Sequence, residues 1–432
     1  MEEDKLLSSL EENKWSRVHT LYFISFAIGL FIEGFLFVIT SAATTWYVIP
    51  RSLKVLLLGW PFIWLIIGMS TIGPISDKLG RKRTWIYTMT LYAIGGVILL
   101  FSVNYVLVLI ALAILVASAG GEMNIILTMA HEMFPRRHRS KSVMLLQIFN
   151  GAVAGIVASI LGFIAISTTI IFERYLTALT IFLALVALIT VRMKTPESIR
   201  WLEKTGKHEQ AKEETEKYFK TSPAITTQTT TKPSTSEKKL STWTKLLILT
   251  PIGWANSSGY GLIMYTLGPL FFPKAMVYIF LFVGIGAFAG GLLGIFGDRW
   301  SRKKLLLGTY WILLFIAVLY LVGFKLWTTN LLIFATLLVT THFVEQPSYA
   351  AIETLKGEVW PTKMRGSLTA LARALPLILY LPVLYFASLL SLYEYVIFYV
   401  IIWAIGAVGT AAWYIWGYET GKGVSIKIAS GE

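Results

Sequence analysis

Two glutamates lie inside long apolar stretches of the sequence, where a carboxylate has little water around it. Glu33 follows His19 by fourteen residues, and Glu122 comes directly after the pair Gly120-Gly121. At ~1.5 Å of rise per residue, Glu33 lies ~21 Å along a helix that begins at His19, near the middle of a bilayer. An ionisable group at that depth is costly, so both residues are predicted proton carriers. The alternatives are structural roles, for Glu33 beside a hydroxyl group and for Glu122 beside a cation.

His342 and Glu345 lie three residues apart in another apolar stretch, so they share one face of a helix. We interpret them as a second proton relay or as part of a cavity wall, with a hydrogen-bonded structural pair as the alternative. Two ligands are too few for a zinc site, and we predict no metal and no cofactor. Arg373 is the one base that we place deep in an apolar stretch. It can meet an anionic substrate or pair with an acid towards the cytoplasmic side.

Uncharged polar residues mark a further wall of the predicted cavity. The stretch Trp254–Gly261 combines small polar residues with two glycines, which weakens a helix where the backbone borders a cavity. Helix packing is the alternative role for each residue. The residues predicted to line a substrate cavity are Gln147, Asn150, Trp254, Asn256, Tyr260, Tyr265 and Arg373.

Charged loop motifs occur twice at matching places in the two halves of the chain. Gly73…Asp77…Gly80-Arg81 has a counterpart in Gly294…Asp298…Ser301-Arg302, and Glu132…Pro135…Arg139 has one in Glu358…Pro361…Arg365. Opposite charges there can pair in one conformation and separate in another; each exposed pair contributes only ~0–1 kcal/mol, but a network can bias a two-state equilibrium. The alternative is that these charges only anchor the loops in water. The predicted latch consists of Gly73, Asp77, Gly80, Arg81, Glu132, Arg139, Glu197, Arg200, Asp298, Arg302, Glu358 and Arg365.

The elements that must position these residues are membrane-spanning helices. The chain is 56% hydrophobic and 14% charged, whereas a soluble domain is ~25% charged. Apolar runs of about 20 residues, each long enough to cross a bilayer, follow one another along almost the whole chain. We predict an all-α membrane protein with twelve spans in two pseudo-symmetric six-helix bundles. The predicted parts are an N-terminal bundle at 1–195, a cytoplasmic linker at 196–242 with short helices and a Thr-rich tether, and a C-terminal bundle at 243–432.

The net charge of +14 sets the orientation in this interpretation and does not indicate a nucleic-acid partner. Only five of the 38 Lys and Arg residues fall on the side opposite the charged loops, and Arg373 falls inside a span. Basic residues concentrate on the cytoplasmic side of membrane proteins. Both termini are therefore predicted to be cytoplasmic, in a multi-pass protein of the plasma membrane.

These motifs resemble the major facilitator superfamily of secondary transporters. Gly73…Asp77…Gly80-Arg81-Lys82 matches the family's signature between spans 2 and 3, and residues 294–304 match its weaker copy, with Ser301 in place of the second glycine. The resemblance implies a twelve-helix alternating-access carrier, in which the charged loops form a latch that holds the cytoplasmic side shut.

Other motifs bear on the branch of that family. Pro196-Glu197-Ser198-Ile199-Arg200-Trp201-Leu202 is similar to the loop after span 6 of sugar porters, and Gln147 has the spacing of their ligand glutamine. Leu36, however, stands where sugar porters carry their proton-accepting acid, and Asn256 stands near the place of their paired glutamines. Gly120-Gly121-Glu122 and the position of Glu33 resemble organic-ion and metabolite symporters instead.

The leading hypothesis is a proton-coupled symporter of a small polar organic solute, with organic or aromatic acids favoured over sugars. A sugar porter, proton-coupled or facilitative, is the first alternative. A multidrug or solute exporter and a non-transporting sensor on the same fold follow. The predicted partners are the solute, protons and the lipid bilayer, and a monomer is expected to be functional. No arrangement typical of an enzyme is present.

Overall fold

The computed structural model describes residues 10–43, 46, 51–166, 170–219, 240–422, 424 and 429–430. Within these residues the chain is helical, and strands are absent. Twelve long helices carry the fold, and two shorter ones lie in the linker between the sixth and the seventh. The long helices are α1 Arg17–Ala42, α2 Arg51–Leu79, α3 Arg81–Leu100, α4 Tyr105–Met133, α5 Arg139–Ile148 continuing as Ala154–Ile166, α6 Ile170–Arg192, α7 Thr242–Gly261, α8 Met276–Gly291, α9 Arg302–Val322, α10 Leu331–Glu358, α11 Arg365–Ala387 and α12 Leu392–Trp416.

Ten of these helices are long and apolar enough to cross a membrane, judged by length and composition over the described residues. The other two are α7 and α10, and both contribute buried polar residues to the centre of the molecule. The prediction of twelve helices in two six-helix bundles is confirmed. The two halves meet along related pairs, in which α2 packs on α11 and α5 packs on α8.

Glycines allow two of the helix contacts that bring polar residues to the centre. A Cβ atom at Gly34, next to Glu33, would overlap the backbone of Asn150, so α1 and α5 touch at this point. A Cβ atom at Gly120 would overlap the backbone of Leu65, and one at Gly121 would overlap the Ile72 side chain. Glycine is needed wherever two helix backbones approach this closely, which explains the pair Gly120-Gly121 in α4.

Two helices are interrupted by short π-helical turns beside the central cavity. One covers Phe149–Val153 in the middle of α5, and the other, Leu262–Leu267, directly follows the glycine-containing end of α7. A π-turn adds a residue to the helical turn and redirects the side chains that follow. The weak point that the sequence predicts in the seventh span is therefore present, a few residues further along the chain.

Several helices extend beyond the apolar runs of the sequence on the side that holds the charged loops. This side is here called the loop side. The tenth apolar run ends at about Ile352, but α10 continues to Glu358 and buries Glu353, Lys356 and Glu358. A hydropathy pattern places the end of a span at its first charged residues. In α10 these charged residues form ion pairs inside the protein, so the helix continues past them. Arg373 is consequently not the only deeply buried base, which corrects the prediction.

The linker begins with two short helices, Ile199–Lys204 and His208–Phe219. The first is capped by Ser198, whose hydroxyl accepts a hydrogen bond from the Trp201 amide at 3.2 Å. Such a cap satisfies one of the free amides at a helix start. The predicted Thr-rich tether lies almost entirely outside the described residues.

Candidate functional site

A cavity of about 90 Å³, whose wall combines apolar surface with several charged and amide side chains, lies between the two halves of the molecule. Its walls come from α1, α2 and α5 of the first half and from α7, α10 and α11 of the second. Aromatic rings of both halves meet at it, with ring centroids 5.8 Å apart for Phe37 and Tyr265 and 4.8 Å apart for Phe62 and Tyr380. A relative movement of the halves would therefore change the shape of this cavity.

One side of the cavity carries a row of alternating charges centred on Arg373. Its Nε donates to Glu353 at 2.9 Å, its Nη1 donates to the Asn124 side chain at 3.0 Å, and its Nη2 lies 3.5 Å from Glu33. Lys356 extends the row and donates to Glu353 at 2.6 Å. All five side chains are buried. Removing one partner of such a buried pair leaves an uncompensated charge and costs about 3–5 kcal/mol.

The row joins the two halves of the protein. Glu33 and Asn124 belong to α1 and α4, while Glu353, Lys356 and Arg373 belong to α10 and α11. Arg373 is therefore held by both halves, and its contact with Glu33 is longer than those with Glu353 and Asn124. An anion that competes with Glu33 for Arg373 would act directly on the interface between the halves.

A second acid faces the cavity without a cation. Glu345 is 1% exposed, and its hydrogen-bonding neighbour is the neutral side chain of Asn256. Asn256, Tyr260, Tyr265 and Tyr349 line the cavity with it. The rings of Tyr260 and Tyr265 stand edge to face with centroids 5.6 Å apart. This part of the cavity is aromatic and polar, and its carboxyl group has no ion-pair partner within the described part of the chain.

Of the four predicted proton carriers, Glu33 and Glu345 line the cavity. His342 lies behind its wall, where the ring contacts Tyr260 at a centroid distance of 5.7 Å and Nδ1 lies 2.8 Å from the Leu338 carbonyl. The structure does not pair His342 with Glu345.

Glu122 lies away from the cavity, inside the first bundle. It forms an ion pair with Arg192 and accepts a hydrogen bond from the Thr88 hydroxyl at 2.7 Å. Arg192 also lies over the Trp85 ring, 4.4 Å from its centre. Both carboxylate oxygens of Glu122 therefore have partners within the first half. This arrangement corresponds to the alternative given for Glu122 above, a structural role beside a cation.

Five of the seven residues predicted to line the cavity do so: Asn150, Asn256, Tyr260, Tyr265 and Arg373. The prediction is corrected for Trp254, which lies two residues from Asn256 and so points to the opposite helix face, where its indole donates to the Leu379 carbonyl at 3.1 Å. It is also corrected for Gln147, which lies one turn nearer the loop side than Asn150. There α5 closes against α10, and Gln346 donates to the Gln147 carbonyl at 2.9 Å.

Glu353 and Lys356 line the cavity but are absent from the sequence prediction. A usable signal was present, because Glu345, Tyr349 and Glu353 are spaced four residues apart and therefore share a helix face. The predicted end of the span at Ile352 excluded the last of them.

On the loop side, the aspartate of each repeated motif binds the start of a helix in the opposite half. Asp77 accepts hydrogen bonds from the Ser367 amide at 2.9 Å and from its hydroxyl at 2.8 Å, at the start of α11. Asp298 accepts one from the Lys141 amide at 3.0 Å, at the start of α5. A carboxylate is stabilised at the amino end of a helix. These two contacts, here called the aspartate clamps, hold the halves together on the loop side.

Arginines surround the clamps with ion pairs inside each half. Arg81 lies 3.3 Å from Asp77 and 2.9 Å from Glu132, and Arg302 lies 3.3 Å from Glu358. Arg365 donates to the Trp360 carbonyl at 3.0 Å. Each of these contacts stays within one half, whereas the aspartates reach across to the other. Arg302 also reaches the first half, where its Nη2 donates to the Ser140 hydroxyl at 3.0 Å. The predicted latch residues therefore form clusters that the two aspartates and Arg302 join.

The linker joins the cluster of the first half. Glu197 accepts hydrogen bonds from the Arg81 amide at 3.0 Å and the Lys82 amide at 3.0 Å, and burial raises the pKa of its carboxyl group. Gly80 makes this contact possible, because it has φ of 98° and a Cβ atom there would collide with Glu197. Gly73 has a related role, since a Cβ atom there would lie 2.9 Å from Ala370 in α11.

The N-terminal segment is also tied to this side. Glu11 lies 3.4 Å from Arg139 and forms a second ion pair with Arg200, and Arg200 donates from Nε to the Glu132 carbonyl at 3.2 Å. Burial raises the pKa of Glu11, but the charges of Arg139, Arg200 and Arg136 outweigh it and leave that pKa below its usual value. Glu11 thus stays ionised and fastens the segment before α1 to α5 and the linker.

Twelve helices in two related halves around a central cavity define a membrane transporter of the two-bundle type. The chain belongs to the Major Facilitator Superfamily, which it matches over residues 21–372. The family resemblance of its loop motifs is confirmed, and this family consists of membrane transporters rather than enzymes.

The individual proteins that this chain resembles in sequence include sugar and metabolite transporters. The chain is 30% identical over 151 residues to the glucose transporter GlcP of Staphylococcus epidermidis, covering 35% of this chain and 33% of that protein. It is 25% identical over 181 residues to the niacin transporter NiaP of Acinetobacter baylyi, covering 41% of this chain and 39% of that protein. The chain thus matches little more than a third of the length of these curated relatives.

Solved structures share the fold over nearly the whole chain. The proton:xylose symporter XylE, bound to 6-bromo-6-deoxy-D-glucose, superposes with a TM-score of 0.74 at 17% identity, covering 95% of this chain and 98% of that one. XylE comes from E. coli. At this identity the likeness establishes the fold alone.

Proposed function

We propose that this transporter is a proton-coupled symporter of a small organic acid, located in the plasma membrane with its loop side towards the cytoplasm. The observation that carries the proposal is the position of Arg373 in the central cavity, held by Glu353 of its own half and Glu33 of the other. A guanidinium group binds carboxylates with matched geometry. The resident carboxylate of Glu33 occupies the place that a substrate carboxylate would take.

Coupling follows from the exchange of one carboxylate for another. A proton that binds Glu33 removes its negative charge and weakens its 3.5 Å contact with Arg373. The freed Nη2 then binds the substrate carboxylate, so the charge around Arg373 stays balanced. Without the proton, the cavity would hold one more buried negative charge, which is costly. Substrate and proton therefore bind together.

Alternating access follows from the same contact. Arg373 links the halves at the centre, and the aspartate clamps link them on the loop side. A ligand shifts a conformational equilibrium only by its differential affinity for the two states. Replacement of Glu33 by a free carboxylate removes a link between the halves and favours opening of the loop side.

A sugar is the alternative substrate, and one observation favours it. The Asn150 and Asn256 amides and the Tyr260 hydroxyl each have a buried polar atom without a hydrogen-bond partner among the described residues. Such groups match the hydroxyls of a sugar, for which GlcP and XylE are named.

The test is uptake of labelled niacin, benzoate and glucose into proteoliposomes that contain the purified protein, with and without an inward proton gradient. We expect gradient-driven uptake of an acid, and we expect Glu33→Gln to abolish its dependence on the gradient while exchange of substrate across the membrane persists. Glu209→Gln, on the exposed linker helix, is the matched control. Full gradient-driven uptake by Glu33→Gln would contradict the coupling role, and uptake of glucose without either acid would establish the sugar alternative.

A further inference from the structure

Glu345 presents a carboxyl group that the proposed transport of an acid does not use. It lies in the cavity wall, 1% exposed, and its hydrogen-bonding neighbour is the neutral side chain of Asn256, so it has no ion-pair partner among the described residues. The cations of the charged row are engaged elsewhere, because Lys356 pairs with Glu353 and Arg373 pairs with Glu353 and Glu33. Buried charges are normally paired with an opposite charge, so a carboxyl group without a cation on a cavity wall indicates a partner that enters with the ligand.

The surroundings of Glu345 define the chemistry of that partner. Tyr260, Tyr265 and Tyr349 line the same cavity, and aromatic faces attract a cationic nitrogen that lies against them. The neutral side-chain amide of Asn256 belongs to the same wall, so a neutral hydrogen-bond donor is already available to the Glu345 carboxyl group. A carboxylate surrounded by aromatic rings favours a positively charged nitrogen.

The two parts of the cavity are separated along one helix. Glu345 and Glu353 are eight residues apart on α10, which at ~1.5 Å per residue is ~12 Å along its axis, with Tyr349 between them. Arg373 is bound at the Glu353 end. A ligand that uses both parts must carry its opposite charges at opposite ends, unlike an α-amino acid, whose charges are adjacent.

We propose that the substrate is a zwitterion, whose carboxylate binds Arg373 and whose cationic nitrogen binds Glu345 among the three tyrosines. This inference rests on the proposed function and narrows its substrate class. When both ends of the ligand are bound, Arg373 pairs with the carboxylate of the ligand and Glu345 pairs with its nitrogen.

The test uses two matched sets of probes, with binding to the purified protein measured by calorimetry. The flexible set is 6-aminohexanoate, hexanoate and hexylamine, and the rigid set is 4-(aminomethyl)benzoate and 4-methylbenzoate. We expect the zwitterion to bind at least about tenfold more tightly than the acid alone in at least one set, a difference that corresponds to ~1.4 kcal/mol. Glu345→Gln should abolish this preference, because it should weaken the binding of the zwitterion more than the binding of the simple acid.

A second pair of variants keeps the test decisive if Glu345→Gln is poorly folded. Tyr260→Phe keeps the ring, and Tyr260→Leu removes it, so the preference for the zwitterion should fall further in Tyr260→Leu. Equal binding of zwitterion and acid in both sets would overturn the inference while leaving the proposed acid transport intact. A preference that survives Glu345→Gln would also overturn it. Failure of every acid and zwitterion to bind would instead contradict the proposed function itself.

Discussion

At the residue scale, the central feature is a carboxylate that serves two bases. Glu353 accepts from Arg373 at 2.9 Å and from Lys356 at 2.6 Å, and all three side chains are buried. It therefore neutralises the cations that would otherwise attract Glu33 more strongly. The two acids and two bases of the row, Glu33, Arg373, Glu353 and Lys356, carry no net charge together, although they do not divide into two separate ion pairs.

This balance predicts the stability of variants in the row. We expect Glu353→Gln to lower the free energy of unfolding by ~3–5 kcal/mol, because it leaves two bases without their shared partner. Lys356→Met combined with Glu353→Gln should recover part of the loss, since one of the two uncompensated charges is gone. Unfolding in mild detergent, followed by tryptophan fluorescence, measures both. Additive losses in the double variant would contradict the shared-partner role of Glu353.

At the scale of elements, the repeated loops act through the helices they cap in the opposite half. Asp77 binds the start of α11, and Asp298 binds the start of α5. A hydrogen bond to a charged group contributes ~1.5–3 kcal/mol, which is enough to change the ratio of two conformations about tenfold or more. The clamps are therefore strong enough to set the resting state.

Asp77→Asn should shift the protein towards a state that is open on the loop side. The chain contains no cysteine, so a single introduced thiol reports one position. Met144 is buried on α5 and lies against the start of the second repeated loop. We expect the thiol of Met144→Cys to react several-fold faster with a membrane-impermeant reagent when Asp77→Asn is also present. An unchanged rate of reaction would show that the clamp does not control opening. The matched control is the protein that combines Met144→Cys with Glu209→Gln.

The segment before α1 is a further element whose attachment can be tested by pH. Glu11→Gln should lower the thermal midpoint by about 2–4 °C at pH 7, because it removes contacts with Arg139 and Arg200. The pKa of Glu11 is depressed in the folded protein, so its contribution is complete above the unfolded value of about 4.3 and declines only as the pH falls below that value. The difference between the two proteins should thus be the same at pH 5 as at pH 7. A difference that vanishes by pH 5 would argue against the ion pairs.

At the scale of the whole molecule, the halves touch on both sides of the cavity. The aspartate clamps lie on the loop side, and on the other side the rings of Phe163 in α5 and Tyr278 in α8 stand 5.4 Å apart between centroids. An alternating-access cycle requires these two sets of contacts to open in turn. Fixing either set should therefore stop transport without unfolding the protein.

A short bifunctional thiol reagent applied to Phe163→Cys with Tyr278→Cys should reduce substrate uptake at least about tenfold, and cleavage of the reagent's spacer should restore it. The control pair is Phe324→Cys with Tyr393→Cys, whose rings are 5.2 Å apart within the second half. Uptake by the control should survive the reagent. Equal inhibition of both pairs, or of neither, would contradict movement of the halves at this contact.

Much of this architecture is determined by the sequence itself. Apolar runs of membrane length, the bias of Lys and Arg to one side and the repeated Gly-Asp-Arg loops predict twelve helices in two related bundles, because each depends on the cost of placing polar groups in lipid. The same cost makes Glu33, Glu345 and Arg373 stand out in the amino-acid sequence alone, since each lies within an apolar run.

Tertiary structure decided which of these residues meet. Glu122 looks like Glu33 in the sequence, yet it pairs with Arg192 inside one bundle, whereas Glu33 reaches Arg373 across the interface. Glu353 and Lys356 look like the polar end of a span, yet they lie in the cavity because their charges compensate each other there. Hydropathy measures the transfer of each residue from water to lipid, and it contains no information on a partner supplied by another helix. That partner, which exists only once the halves are packed together, is what separates a structural ion pair from a candidate binding site.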